Sequence, residues 1–461
     1  MSKWISKITE LLKLRRMSPA KIIILGFLAV IFVGGLLLML PISSAERIFT
    51  SPSTAFFTAT SATCVTGLIV RDTSVYWSDF GKGIILLLIQ IGGLGFMSMA
   101  MLFSMLLGRR VSPKERIVFV QSMNLFSGEK MFRFIRSMIG FTFAFEGIGA
   151  VLLAVKFVPV FGFWNGLSKS IFHSISAFCN AGFDIMGSFS GEYSSLAHFA
   201  GDIYINIVVG TLIVCGGLGF IVWHDIYKRI REKKTLSPYS KLVLGISGAL
   251  ILTGTLFFLV SEWSNPDTIG ASSAGGKLLR SLFMSVTCRT AGFSTISVGG
   301  LEEVSKVFSM MLMFIGGSSG STAGGIKTVT IGVVLIAVLQ IARGNRDINI
   351  RKRRLDNNIV SRAFALIIIA GVVVTVSSFI LSFTEKGMSY GDIIFEAFSA
   401  FGTVGLSTGI TPFISGAGRM VIMALMFFGR IGIITITYAI MMGLNSDRQI
   451  VRYPKTNVLL G

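Results

Sequence analysis

Four short stretches of the chain are each built on one glycine: "TCVTGL" (63–68), "FCNAGF" (178–183), "CRTAGF" (288–293) and "GTVGL" (402–406). The chemistry open to such a stretch is coordination of a cation by backbone carbonyls, which must replace the water an ion sheds on leaving solvent. Successive carbonyls can face one way only where the backbone leaves the β region, and glycine accepts positive φ at little cost. Gly67, Gly182, Gly292 and Gly405 lie 115, 110 and 113 residues apart, a near-constant period that implies duplicated units. Four strands around one axis would make a carbonyl-lined ion filter. Its residues are Val65, Thr66, Gly67, Leu68, then Asn180, Ala181, Gly182, Phe183, then Thr290, Ala291, Gly292, Phe293, and finally Thr403, Val404, Gly405, Leu406. Only the fourth keeps Thr-Val-Gly. The unequal strands predict fewer well-defined ion sites and weaker K⁺/Na⁺ discrimination than four identical copies would give.

A second set of residues follows each glycine at a roughly constant interval: "IGGLGF" (91–96), "CGGLGF" (215–220), "IGGSSGSTAGG" (315–325) and "FGRIGII" (428–434). Gly92, Gly93, Gly216 and Gly217 read as close helix packing. The last two units depart from that pattern. A single helix from Glu303 to Ala342 would be about 60 Å long, twice the hydrocarbon thickness. It is interrupted by Gly316, Gly317, Ser318, Ser319, Gly320, Ser321, Thr322, Ala323, Gly324, Gly325 and, after Ile326, Lys327. Unwound backbone at membrane depth persists only inside protein or beside a wet cavity, so this loop is expected below the filter as a gate. Arg430 occupies the aligned position of the fourth unit, where an intramembrane charge is costly and usually functional. It is expected to repel a passing cation and to hydrogen-bond the loop carbonyls. Arg289 and Glu396, flanking the third and fourth filters, are expected to form a buried pair; Glu146 and Lys156 read as packing or snorkelling residues. Gly316 to Gly320 matches GxSxG with no preceding strand. Gly320 to Lys327 resembles a P-loop, but Ile326 separates Gly325 from the lysine; both are chance matches.

The elements that must carry these strands are membrane helices. The 461 residues are 52% hydrophobic and only 14% charged, far too apolar for a soluble chain of this length. Eight apolar segments are long enough to cross a bilayer: about 21–41, 82–107, 137–160, 201–224, 241–261, 305–341, 362–384 and 414–443. Between the members of each pair lies a shorter stretch suited to a re-entrant pore helix. The predicted fold is an all-α polytopic membrane protein of four pseudo-fourfold helix–pore helix–helix repeats around one central pore. The expected divisions are an N-terminal cytoplasmic segment 1–20, repeats at 21–108, 109–225, 226–343 and 344–445, and a cytoplasmic tail 446–461. Two crossings per unit give all four repeats one orientation, which excludes an inverted-repeat transporter.

The formal charge of +20 is sorted onto alternate connections, 108–136, 225–241 and 343–362, while the opposite loops are nearly free of Lys and Arg. Topology accounts for that charge, so nucleic acid is not expected as a partner; anionic membrane lipid is. Both termini are expected in the cytoplasm, with the filter strands opening outward. The four cysteines are scattered without a CxxC pair, and no catalytic constellation or Walker motif is present, so the expectation is a transporter without a cofactor and not an enzyme.

Taken jointly, the four strands, the "GGSSGSTAGGIKT" loop and the "GRIG" arginine resemble the Trk/Ktr/HKT superfamily of cation transporters, over about residues 20–445. Eight crossings with no additional N-terminal pair favour its bacterial Ktr branch. The resemblance implies a K⁺ uptake subunit of the cell membrane, a homodimer with one pore per protomer, and a cytoplasmic RCK-type nucleotide-binding ring that gates it through 316–327. Any nucleotide effect would then come from that partner. Gly67 in the first strand goes, within the family, with K⁺ passage, and a serine there with Na⁺ preference. The alternative is a Na⁺-permeable or weakly selective member of the same architecture. Na⁺ coupling is implied by the resemblance alone.

Overall fold

A computed structural model of the chain describes residues 18–95, 98–99, 117–118, 131–233, 235–345, 347–350 and 353–432. The N-terminal segment, most of the basic connection 108–136, the last span beyond Gly432 and the tail 446–461 lie outside the described residues.

The described chain is nearly all helix. Each of four units opens with a long apolar helix: α1 (Pro19–Met39), α4 (Met131–Phe161), α8 (Pro238–Ser261) and α12 (Asn357–Thr384). These have the length and composition to cross a bilayer. Two of them start on a Ser-Pro pair. Ser18 accepts from Lys21 N and Ser237 from Ser240 N, while the proline at the first helical position lacks the N–H that would be orphaned there. The outer faces of these helices are apolar and exposed, for example Leu25, Leu28 and Phe32 on α1 and Ile368, Val372 and Phe379 on α12. In a protein of this composition such a face meets lipid.

The long helix of each unit is followed by a short one that ends in the interior: α2 (Pro52–Cys64), α5 (Phe163–Phe178), α9 (Ala274–Thr287) and α13 (Tyr390–Gly402). A second apolar helix then leaves the centre. These are α3 (Asp79–Leu94), α6 (Ile203–Leu218) continued by α7 (Phe220–Glu232), α10 (Glu303–Phe314) with α11 (Thr328–Ala342), and α14 (Gly416–Ile431). A two-residue antiparallel ladder, β1 (Asn349–Ile350) with β2 (Arg353–Arg354), sits in the connection to the fourth unit.

All four second helices stop at corresponding places, not the third alone. α3, α6 and α14 each end on a glycine with positive φ: Gly95 (81°), Gly219 (88°) and Gly432 (89°). The chain turns by 98° between α6 and α7. In the third unit the stop opens into the long loop between Phe314 and Thr328. The doubled glycines just before the stops serve close packing. A Cβ on Gly92 would lie 2.0 Å from the Thr63 carbonyl oxygen, and one on Gly216 1.9 Å from that of Phe178. The second helices thus rest directly on the inner ends of the short ones.

Candidate functional site

The short helices all end alike, and that ending builds the strand. In each unit the residue two before the key glycine takes the left-handed conformation: Val65 (φ 58°), Asn180 (59°), Thr290 (68°) and Thr403 (50°). The glycines follow with φ of 95°, 68°, 80° and 92°. Positive φ at alternate residues swings the intervening carbonyls to one side. The non-glycine members hold a conformation that costs an L-residue about 1–2 kcal/mol, so the surroundings must impose it. They do so through hydrogen bonds. The residue before each glycine donates its N–H back into the short helix: Thr66 to Ser61 O (2.8 Å), Ala181 to Ser176 O (2.8 Å), Ala291 to Thr287 O (3.0 Å) and Val404 to Ser399 O (2.9 Å). Hydroxyls of the same helix residues hold the strand as well. Gly67 N and Gly405 N donate to Ser61 Oγ and Ser399 Oγ (3.1 Å each), while Ser176 Oγ and Thr287 Oγ1 donate to the Phe183 and Phe293 carbonyls (2.6 Å each). Sequence reasoning missed these hydroxyls. The signal was a Ser-Ala pair six residues before the glycine in three of the four units.

The four strands close a ring in sequence order. A Cβ on Gly67 would meet the Ala181 carbonyl oxygen at 2.5 Å. On Gly182 it would meet Ala291 O at 2.7 Å, on Gly292 Val404 O at 2.4 Å, and on Gly405 Thr66 O at 2.1 Å. Each glycine therefore faces the carbonyl of the next unit's strand, and the fourth faces the first. The side chains of Val65, Thr66, Leu68, Asn180, Ala181, Phe183, Thr290, Ala291, Phe293, Thr403, Val404 and Leu406 are buried to within 1%. They pack into the surrounding protein, which leaves backbone to line the axis. On one side the ring opens into a cavity of about 550 Å³, lined by the four glycines together with Asp184, Ser195, Ser297 and Thr408.

On the other side of the ring lies the third unit's loop. Its base is closed: Ile315 and Ile326 form a parallel bridge, Gly316 N donates to Ile326 O (2.8 Å), and Thr328 donates from N to Gly317 O (3.1 Å) and from Oγ1 to Gly316 O (3.0 Å). Neighbouring units grip its body. Ser318 N donates to Gly217 O (3.0 Å), Phe220 N to Gly320 O (2.9 Å) and Gly325 N to Gly429 O (3.2 Å). The second unit's helix stop at Gly219 thus frees backbone groups that the loop satisfies. Gly324 lies against Thr403, where a Cβ would sit 2.2 Å from Thr403 Oγ1. Lys327 Nζ turns back to Ala323 O (2.7 Å), and Ser319 O accepts from Tyr239 Oη (3.2 Å). Arg430, in the last turn of α14, donates from Nη1 to Thr322 O and from Nη2 to Gly92 O and, at 3.2 Å, Gly93 O. One guanidinium thereby joins the first, third and fourth units.

Four charged residues have partners that the sequence did not indicate. Arg289 and Glu396 do not pair. Arg289 Nη2 donates to Thr328 Oγ1 (3.3 Å) at the base of the loop. Glu396, within α13, accepts from Ser407 Oγ, Thr408 N (3.2 Å) and Thr411 Oγ1 (2.7 Å), bracing the turn after Gly405. One residue follows the inner end of its short helix and the other lies a turn or more before that end, so they face opposite sides of the ring. Glu146 accepts both contacts of Gln90 Nε2 (3.1 and 3.2 Å) and lies behind the second strand, whereas Lys156 pairs with Asp202 at 3.1 Å.

Comparison with known proteins gives this arrangement its context. The family model TrkH, described as a cation transport protein, matches residues 2–451. The Ktr system potassium uptake protein B of Bacillus subtilis (strain 168) is 39% identical over 456 residues, 98% of this chain and 99% of its own. The potassium/sodium uptake protein NtpJ of Enterococcus hirae is also 39% identical, over 97% of this chain and 98% of its own. The solved potassium transporter TrkH from Vibrio parahaemolyticus superposes with a TM-score of 0.68 at 19% identity, covering 91% of this chain and 84% of that one, which is a likeness of fold. The relatives are transporters and not enzymes, as the absence of a catalytic constellation in the sequence led us to expect. With a family model spanning nearly the whole chain and two full-length relatives at 39% identity, this multi-pass membrane protein belongs to the TrkH family of cation transport proteins.

Proposed function

We propose that the chain takes up K⁺ across the cell membrane through the ring of Gly67, Gly182, Gly292 and Gly405. The observation that carries this reading is the closed ring of backbone whose side chains are all turned away. A site made of carbonyl oxygens suits a large monovalent cation that exchanges its hydration shell for protein oxygens. The inner ends of α2, α5, α9 and α13 converge on the ring, and their partial negative charge favours a cation at its centre. The loop 316–327 and Arg430 act as the gate, because together they occupy the side of the ring opposite the open cavity and carry a fixed positive charge there.

The connections rich in Lys and Arg face the cytoplasm, as do both termini, so the open cavity faces outward. The protein works as a homodimer with one pore per protomer, and a cytoplasmic RCK-type nucleotide-binding ring controls the loop. Two relatives from B. subtilis carry the name of a Ktr system, which fits a membrane subunit with a separate regulator. One specific observation supports a second reading, a Na⁺-permeable or weakly selective pore: the E. hirae relative is named for both potassium and sodium.

Flux of ⁸⁶Rb⁺ into proteoliposomes, with K⁺ and Na⁺ as competitors, tests both. The K⁺ reading expects K⁺ to compete far better than Na⁺, and Gly67→Ser to narrow the gap by about tenfold or more. No K⁺-competed flux under any gating condition would sink it; equal competition by Na⁺ would establish the second reading.

A further inference from the structure

The loop reaches the ring with a side-chain hydroxyl at Thr322, and that contact suggests more than a plug. Thr322 is fully buried and has three attachments, of which the first is its backbone N, donating to Gly216 O (3.3 Å). Its backbone carbonyl accepts from Arg430. Its hydroxyl donates to Phe178 O (3.1 Å) at the inner end of α5 and lies 3.4 Å from the side-chain amide of Asn180. Asn180 is itself a ring residue, held at φ 59°. The far side of the same amide lies 3.3 Å from Thr290 Oγ1 in the third strand. Turning the amide over puts its nitrogen 3.2 Å from the Phe178 and Ile213 carbonyl oxygens. In that orientation both amide protons go to those two carbonyls, Thr290 Oγ1 donates to the amide oxygen, and Thr322 Oγ1 shares the Phe178 carbonyl with Asn180 while lying against the amide.

A chain of polar contacts therefore runs from the loop through Phe178 O, the acceptor that Thr322 and Asn180 share, and through the Asn180 amide into two of the four strands. No other strand offers an equivalent. The corresponding residues are Val65, whose side chain has no polar group, and Thr403, which lies against Gly324 without a hydrogen bond from its hydroxyl. We propose that Thr322 is a specificity-determining positioning residue, whose hydroxyl makes the geometry of the second and third strands depend on where the loop sits. When the loop lies under the ring, Asn180 is held and its strand conformation is enforced. When the loop moves away, Phe178 O loses the Thr322 hydroxyl, the Asn180 amide loses the side chain packed against it, and the strand relaxes. Ion preference and gate position are then one coupled property and not two independent ones. The inference rests on the K⁺ uptake reading.

The test uses the full-length protein in proteoliposomes, with ⁸⁶Rb⁺ influx measured against Na⁺, and a flux-independent readout, the thermal stabilisation of the purified protein by K⁺ and by Na⁺. Thr322→Val keeps volume and branching and removes only the hydroxyl. The Na⁺ concentration that halves influx is expected to fall about fivefold, the factor one net buried hydrogen bond is worth. Thr322→Ser should return it to within about twofold of wild type, and Thr322→Ala, free of any overpacking, should behave like the valine variant. A wild-type Na⁺/K⁺ preference in both the Val and Ala variants overturns the proposal. So does a serine variant that fails to restore it, because the methyl would then carry the effect. Wild-type protein that shows neither K⁺ flux nor stabilisation by K⁺ overturns the uptake reading as well, whereas K⁺-stabilised wild type with indifferent Thr322 variants overturns this coupling alone.

Discussion

Replacing Arg430 is the perturbation with the largest expected effect on flux, and its size follows from the site. A K⁺ ion passing about 10 Å from a guanidinium, in a wet passage with effective dielectric between about 20 and 80, is repelled by about 0.4–1.7 kcal/mol. Removing that term alone should raise the rate about 2- to 17-fold where this barrier limits passage. Arg430→Ala also releases the Thr322, Gly92 and Gly93 carbonyls, so the loop loses its tie to the first and fourth units. Arg430→Gln removes the charge while keeping a planar donor on a shorter side chain, and Arg430→Lys keeps the charge but gives up the fork. The order expected in initial ⁸⁶Rb⁺ influx, normalised to reconstituted protein, is Ala at or above Gln, Gln above wild type. The lysine variant apportions the rest: close to wild type if charge dominates, close to alanine if the fork does. Unchanged or lower influx in both neutral variants, at wild-type reconstitution, would refute the reasoning and remove Arg430 from the gate.

Two further substitutions probe the ring and its support. Gly405→Ala places a Cβ 2.1 Å from Thr66 O at a residue with φ 92°; the ring must deform, and K⁺-competed influx should fall more than about tenfold with protein still in the membrane. Asp72 ties the turn after the first strand to the second unit, accepting from Ser74 N (2.8 Å) and Val75 N (3.1 Å) with one oxygen and from Tyr193 N (2.8 Å) with the other. Asp72→Ala orphans these donors and should cost about 2–3 kcal/mol, seen as a lower thermal midpoint of the purified protein; an unaltered midpoint would show that the tie contributes nothing.

The period of the glycines was legible because duplication preserves spacing, and the structure brings Gly67, Gly182, Gly292 and Gly405 together in chain order. The break in the third unit was legible from composition, since five glycines among ten residues do not sustain a membrane helix. Other features left weaker traces. The left-handed residue two before each glycine is Val, Asn, Thr or Thr, and only asparagine has any bias toward that conformation. The conformation is imposed by hydrogen bonds from the short helix, which no local propensity encodes. The helix stops at Gly95, Gly219 and Gly432 lay inside motifs that read as packing glycines, because "GGLG" serves a close approach with its first two residues and a turn with its last. The Arg289–Glu396 pairing failed for a different reason. Opposite charges near the same ring suggest a pair, but their places along two short helices aim them to opposite sides of it.

The departures from symmetry bear on the proposed gate. At the position after the first packing glycine the units carry Gly93, Gly217, Gly317 and Arg430. A side chain there points under the ring, so a charge in all four units would close the passage permanently by mutual repulsion. A charge in one unit needs acceptors from its neighbours, and the stopped helices provide them as end carbonyls at Gly92 and Gly93, with Thr322 O from the loop. The loop in turn needs donors and acceptors for its unwound backbone, and the second unit's stop supplies Gly216, Gly217 and Phe220. Each device is satisfied by groups that the helix stops expose. The loop and Arg430 are held by hydrogen bonds to backbone. Such contacts are worth about 1 kcal/mol net apiece, or about 1.5–3 where the guanidinium takes part. If the proposed gating holds, a regulator that binds one loop position more tightly by a few kcal/mol would be enough to move it.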